Sequence, residues 1–354
     1  MNPPIPAPDA LPAAWGWFQG LLMLLFPLHL LLMNAMLGFA CVSLYALLKG
    51  GETDRRLAHE LAKALPAIVA FAVNFGVAAL LFLQVIYGHL FYASSVLMGL
   101  FWLCVPSVLL VAYYAVYIYD FRFESLGKAG AFPAALALLL FLAIGFLFTN
   151  NTTLMLEPSR WGRYFGNPHG TLLNADTGAT WARYVHFLTS ALAVGGLAVA
   201  LFGKWKIGKD PLLGERAVGI GMHVFAMLTA AQLFFGLWYL VALPKPVMRL
   251  FMGGSAPATV LLAVGTGLTF AVIATGFLRK VGWSAALTVP LVYVMAFVRD
   301  AVRRGYLEGQ FSPETLPVSP EYSPLAMFAA TLVAGLAVIA WMLKKTAEVY
   351  RKTG

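Results

Sequence analysis

Four histidines stand inside apolar stretches of this chain: His29 in FPLHLLLMNAMLGF, His89 in YGHLFYASS, His186 in RYVHFLTSALAVGGL and His223 in GIGMHVFAML. Asp120 and Asp300 end or interrupt similar stretches. An ionisable group held in hydrocarbon is costly and marks a functional site by default. Neutral imidazole is the usual axial ligand of haem b iron. Several such histidines, with no rival cofactor motif, predict a haem-binding membrane subunit. A plainer role competes for each: His29 and His186 as satisfied polar groups between helices, His89 as an interfacial residue at the outer end of its span. His223 falls near the inner end of its span, far in depth from the other three. The small residues after His186 (ALAVGG) let a bulky planar group or another helix approach closely.

The elements that position these residues follow from composition. Of 354 residues, 61% are hydrophobic and 11% charged, where a soluble domain carries about a quarter charged residues. An all-α integral membrane protein is predicted, since a crossing needs about 20 apolar residues as helix. Nine spans are expected at 16–48, 65–91, 97–120, 129–149, 180–203, 217–243, 255–278, 282–302 and 324–343. The chain 1–354 reads as one polytopic domain, with external loops at 150–180 and 303–323. Connections of that length are usually functional or dock a partner.

The net charge of +9 is a topology signal once its residues are placed. With the N-terminus outside, the inner side receives Lys49, Arg55, Arg56, Lys63, Arg122, Lys128, Lys204, Lys206, Lys209, Arg216, Arg279, Lys280, Lys344, Lys345, Arg351 and Lys352. The outer side receives Arg160, Arg163, Arg183, Lys245, Arg249, Arg299, Arg303 and Arg304. Every inner loop contributes, so the N-terminus is expected outside and the C-terminus in the cytoplasm of a bacterial inner membrane. The proline-rich stretch Met1–Ala14 has no basic residue and reads as an external tail rather than a cleavable signal. The charged segment Gly51–Leu65 reads as a helical inner connection with a solvent-exposed His59. Cys41 and Cys104 lie in apolar runs, with no CxxCH for a c-type haem and no CxxC pair. No span carries two histidines about four helical turns apart, which excludes the two-haem, four-helix pattern of the cytochrome bc family.

The chain resembles subunit I of the cytochrome bd quinol oxidases over nearly its whole length. His29 followed by Gly38 is similar to the first-span histidine and glycine of that family. Asn74-Phe75-Gly76 followed by Gln84–Gly88 resembles its NFG and EFQFG segments at a shortened interval, and Asn150 and Pro158 fall where the family has NGWMQNP. Tyr184-Val185-His186 resembles its FVHT segment, and FVRDAVRRGYLEGQ (Phe297–Gln310) resembles FVAEYGRQPWAIGE. The resemblance implies nine spans with an outer N-terminus. It implies haem b, with His29 on a high-spin haem, His186 on a low-spin haem, Asp300 on the other high-spin haem and Arg303 at the arginine of GRQPW.

The departures shape the functional expectation. Gly99–Tyr119, the third span, has no acidic residue where the family carries two proton-path glutamates. The long external quinol loop is missing, Leu243 and Met252 being nearly adjacent. The methionine completing the low-spin haem falls near Ala263, and His89 and His223 are additional, with His89 favoured as sixth ligand. The expectation is a b-type cytochrome subunit of a quinol-dependent oxidoreductase, with two or more haems. It would pass electrons between the quinone pool and a periplasmic partner such as a multihaem c-type cytochrome, alongside other membrane subunits. Alternatives are a bd-type quinol:oxygen oxidase subunit and a non-redox transporter or assembly subunit.

Overall fold

The computed structural model describes residues 5–353, with side chains through Val349. Met1–Pro4 of the expected external tail, the Arg351 and Lys352 side chains and the Gly354 terminus lie outside the described residues.

Among the described residues, nine helices are long and apolar enough to cross a bilayer, and the chain is an all-helical, multi-pass membrane protein. They are α1 (Trp15–Lys49), α2 (Glu52–Leu97), α3 (Gly99–Phe121), α4 (Ala131–Leu156), α5 (Gly178–Lys206), α6 (Pro211–Ala242), α7 (Ala256–Phe277), α8 (Val281–Leu307) and α9 (Tyr322–Thr353). Each predicted span falls on one of them. Successive helices run antiparallel, so the bundle has two ends. One carries the long connections after α4 and α8 and is called the loop end. The other carries Lys49, Lys204–Lys209 and Arg279–Lys280 and is called the basic end.

At the basic end the charged Gly51–Leu65 segment is continuous with α2, because its charges find partners instead of breaking the helix. Arg216 holds Asp54 through two bonds of 2.6 and 3.1 Å. Lys206 pairs with Glu60 and Arg56 with Asp210. His59 departs from its expected exposure: its ring stacks on Phe123 at 4.3 Å and approaches Glu124 at 3.3 Å. Asp210 and Pro211 start α6 by the usual chemistry, the Asp210 carboxylate accepting from the Leu213 N–H and proline taking the first helical position.

Lipid offers no hydrophobic drive between helices, so close packing of small residues must hold the bundle. The core is made that way. A Cβ on Gly38 of α1 would collide with the Gly195 backbone of α5, and one on Gly195 would collide with Asn34 and Gly38. On the α5–α6 seam, Gly196 meets Gly221 and Gly203 meets Gly214. Each helix spaces its two glycines one heptad apart, which keeps them on a single antiparallel seam. α9 stands apart: no residue of its apolar window is buried by the rest of the chain.

Buried polar contacts tie down the loop end. The Asn174 N–H donates to Asn150 at 3.0 Å, Asn151 bonds Ser94 and Ser95, and Thr180 donates to Thr153 at 3.2 Å. The tail is strapped across the second long connection by a short parallel pairing, Leu11 N–H to the Pro317 carbonyl and Ser319 N–H to the Leu11 carbonyl, both 2.8 Å.

Candidate functional site

The site lies toward the loop end, where α1, α2, α5, α6 and α8 face one another. His29 sits two residues beyond Pro27, which breaks the α1 hydrogen-bond ladder. Its Nδ1 lies 2.9 Å from the Ala72 carbonyl of α2. A carbonyl only accepts, so Nδ1 carries the proton and Nε2 is left with its lone pair free. This is the usual arrangement of a metal-ligating histidine, with the non-ligating nitrogen donating to a carbonyl. Gly76 permits it: a Cβ there would stand 2.7 Å from the ring.

His186 on α5 is arranged differently. The Gln232 amide nitrogen of α6 lies 2.9 Å from its Nδ1 and 3.0 Å from its carbonyl. The same nitrogen lies 3.3 Å from Nε2, so Nδ1 is the nearer acceptor; with Nδ1 accepting, Nε2 holds the proton and offers iron no lone pair. The Gln232 oxygen is meanwhile buried without a donor. Turning the amide over gives that oxygen the Nδ1 proton and frees Nε2 as a ligand, at the cost of the contact to the His186 carbonyl. Gly236 leaves room beside this ring, a Cβ there being 3.5 Å away.

Three arginines join the two histidines. The Arg299 guanidinium of α8 lies 4.1 Å from the ring centroid of Phe26 and 5.9 Å from that of Phe187, and Arg183 lies 5.4 Å from Phe187. Phe26 neighbours His29 and Phe187 neighbours His186. Arg303 lies 4.7 Å from the ring of Tyr87, whose hydroxyl has no hydrogen bond. The Nε of Arg183 and of Arg299 and one Nη of Arg303 make no hydrogen bond although buried. Asp300 serves Arg303 at 3.6 Å and Arg304 at 3.0 Å, and Glu314 serves Arg304 at 2.7 Å. Among the described residues no carboxylate pairs with Arg183 or Arg299. Buried charge is tolerated only when paired, so this cluster calls for about two negative charges.

Sequence reasoning missed Arg183 and Arg299 by counting them as loop charges. Their spacing held the signal: Arg183 precedes His186 by three residues and Arg299 precedes Arg303 by four, which places each pair on one helix face.

The other candidates are placed elsewhere. His89 follows a break in α2 at Tyr87 (φ −115°, ψ 21°) and packs edge-on against Phe311 of the second long connection at 4.5 Å. His89 and His186 share no neighbour among these contacts. His223 is exposed on α6. Asp300 lies in the arginine cluster with Oδ1 lacking a hydrogen bond. Outside the spans, burial raises the Glu157 carboxyl above its ordinary value, with Arg160 opposing the shift. The Ser312 hydroxyl, together with Arg304, lowers that of Glu314.

Among the described residues no cluster of three or more His, Cys, Asp or Glu side chains is suited to a bare metal ion. A haem needs only one or two protein ligands, since the porphyrin supplies four. Compared with known protein families and curated proteins, the chain matches none.

Proposed function

We propose that this chain is the b-type cytochrome subunit of a quinol-dependent respiratory complex, exchanging electrons between the quinone pool and a periplasmic redox partner. The observation that carries it is the pairing of His29, whose Nε2 is free, with a buried arginine cluster short of about two negative charges. A haem b brings an iron for the imidazole and two propionates for the guanidinia, so both demands are met by one group. His29 would hold the iron, Arg299 with Arg183 and Arg303 would neutralise the propionates, Gly76 lets the His29 ring pack against α2, and Gly236 would leave room beside the His186 ring. His186 would hold a second haem with the Gln232 amide turned over. Bound there, haem b would supply reversible one-electron transfer.

The charge asymmetry supports placing the loop end outside and the basic end in the cytoplasm of a bacterial inner membrane. On that orientation the site lies near the outer surface, within reach of a multihaem c-type cytochrome. α9, uncovered by its own chain, would face lipid or a companion membrane subunit.

The reduced-minus-oxidised spectrum of the purified protein tests the reading. Haem b bands that weaken in a His29→Ala variant support it. A haem d band would favour a bd-type oxidase, and the absence of any Soret band a non-redox transporter. A reporter placed near Pro168 should be external, and one fused at the C-terminus cytoplasmic.

A further inference from the structure

A second concave site lies at the opposite, basic end, where the termini of α5 and α7 and the start of α8 meet the first turns of α6. It is a shallow, open depression of about 710 Å³ lined by Lys204, Ile207, Val218, Arg279, Lys280 and Trp283, among others. Lys204 at the end of α5 meets Arg279 and Lys280 of the connection between α7 and α8, the Lys204 ammonium reaching to 3.6 Å of where a Cβ on Gly282 would stand. Among the described residues none of the three has an ion-pair partner within 4 Å, although most other cations at this end do. α8 starts here with a lysine at its cap position, no capping side chain and no acid in its first turn, so the positive end of its dipole adds to the same field. Arg279 is the one non-glycine residue among those described with a positive φ, 55°. Immediately beside the cations, Phe277, Leu278 and Trp283 expose apolar surface that the protein leaves uncovered.

We infer that this pocket binds the headgroup of an anionic phospholipid. A phosphodiester supplies the missing negative charge, and its acyl chains cover the apolar surface next to it, which a free phosphate ion cannot do. The position agrees: the cations sit at helix ends, where headgroups lie, and Trp283 is in the first turn of α8, the part of a span where interfacial tryptophan is enriched. Basic pockets between helices on this side of a membrane are a recurrent form of lipid recognition. The inference is independent of the redox reading.

The test uses delipidated full-length protein in a neutral detergent, titrated with cardiolipin, phosphatidylglycerol, phosphatidylcholine or inorganic phosphate and followed by native mass spectrometry and thermal unfolding. The wild type should retain the anionic lipids at least tenfold more tightly than phosphatidylcholine. The Lys204→Gln/Arg279→Gln/Lys280→Gln variant should lose that preference, on the order of a hundredfold for three charges near a headgroup. Arg279→Gly guards against a folding artefact, because glycine suits the positive φ while the charge is removed. It should keep the helix content and unfolding cooperativity of the wild type and bind anionic lipid roughly fivefold more weakly. Equal retention of anionic and zwitterionic lipid, or an unchanged preference in the triple variant, overturns the assignment. Saturation by inorganic phosphate that blocks lipid binding shows a free-anion site instead.

Discussion

At the residue scale the site contrasts two histidines and two kinds of arginine. His29 is held by a backbone carbonyl, so its tautomer is set by a group that can only accept. His186 is held by an amide that can face either way. His29→Ala is therefore expected to remove one haem b per chain and leave helix content unchanged, while His223→Ala leaves the haem content intact; pyridine haemochrome analysis reads both. His186→Ala should remove the low-spin signal, and its retention would exclude that residue as a ligand. Arg299 allows a sharper separation of ligand from packing. A buried charge without a partner destabilises, so Arg299→Leu should stabilise protein stripped of cofactor. With cofactor present the same change removes a charge-assisted contact, for which about 1.5–3 kcal/mol is typical, and should weaken haem retention roughly 10- to 100-fold. Identical effects with and without cofactor would remove the propionate role.

At the element scale, glycine seams replace the hydrophobic drive that lipid denies. Gly38 and Gly195 touch backbone to backbone, so Gly38→Val cannot be absorbed by a side-chain rotation. Overpacking typically costs about 1–3 kcal/mol, and the upper part of that range is expected, read as a lower unfolding temperature in detergent. The second long connection is fixed by charge instead. Glu314 has its carboxyl lowered by Ser312 and Arg304, so its contribution is present above its ordinary value of 4.5 and disappears as pH falls through the lower folded value. Amide protection in 308–321, corrected for intrinsic exchange, should drop over that acid range in the wild type and show no such step in Glu314→Gln. How legible these elements were varies with the signal each uses. The spans were readable because hydrocarbon imposes length and apolarity on every helix. His29 and His186 could be singled out as candidates because an ionisable group stands out against such a background. Arg183 and Arg299 were not, because a cation near a span end has the same sequence appearance whether it snorkels outward or points into the bundle. The Gln232–His186 contact joins residues 46 apart and depends on a helix pairing that no local pattern specifies.

At the scale of the whole molecule, electrons and protons have different requirements, and the bundle provides for them unequally. Electrons need only closely spaced centres, and His29, His186 and the arginines between them occupy one region toward the loop end. Reducing oxygen also requires protons at the active haem, carried through a medium hostile to charge. From Gly99 to Tyr119, α3 offers aromatic rings, Cys104, Ser107 and the Pro106 ring, and no carboxylate. Asp120 lies beyond this stretch, next to Phe121 and Arg122 at the end of the helix. The carboxylates that flank the site, Asp300 and Glu314, are already bound to Arg303 and Arg304. They lie at the loop end, where protons leave to the outside on the proposed orientation and are not drawn from the cytoplasm. On the proposed reading that arrangement would serve the oxidation of a quinol rather than the reduction of oxygen. The purified complex given a reduced quinol is therefore expected to pass electrons to its outer partner while consuming little oxygen, measured with an oxygen electrode alongside reduction of an added cytochrome c. Sustained, cyanide-tolerant oxygen uptake that disappears in His29→Ala would mean that protons reach the site by another route and that the chain works as an oxidase.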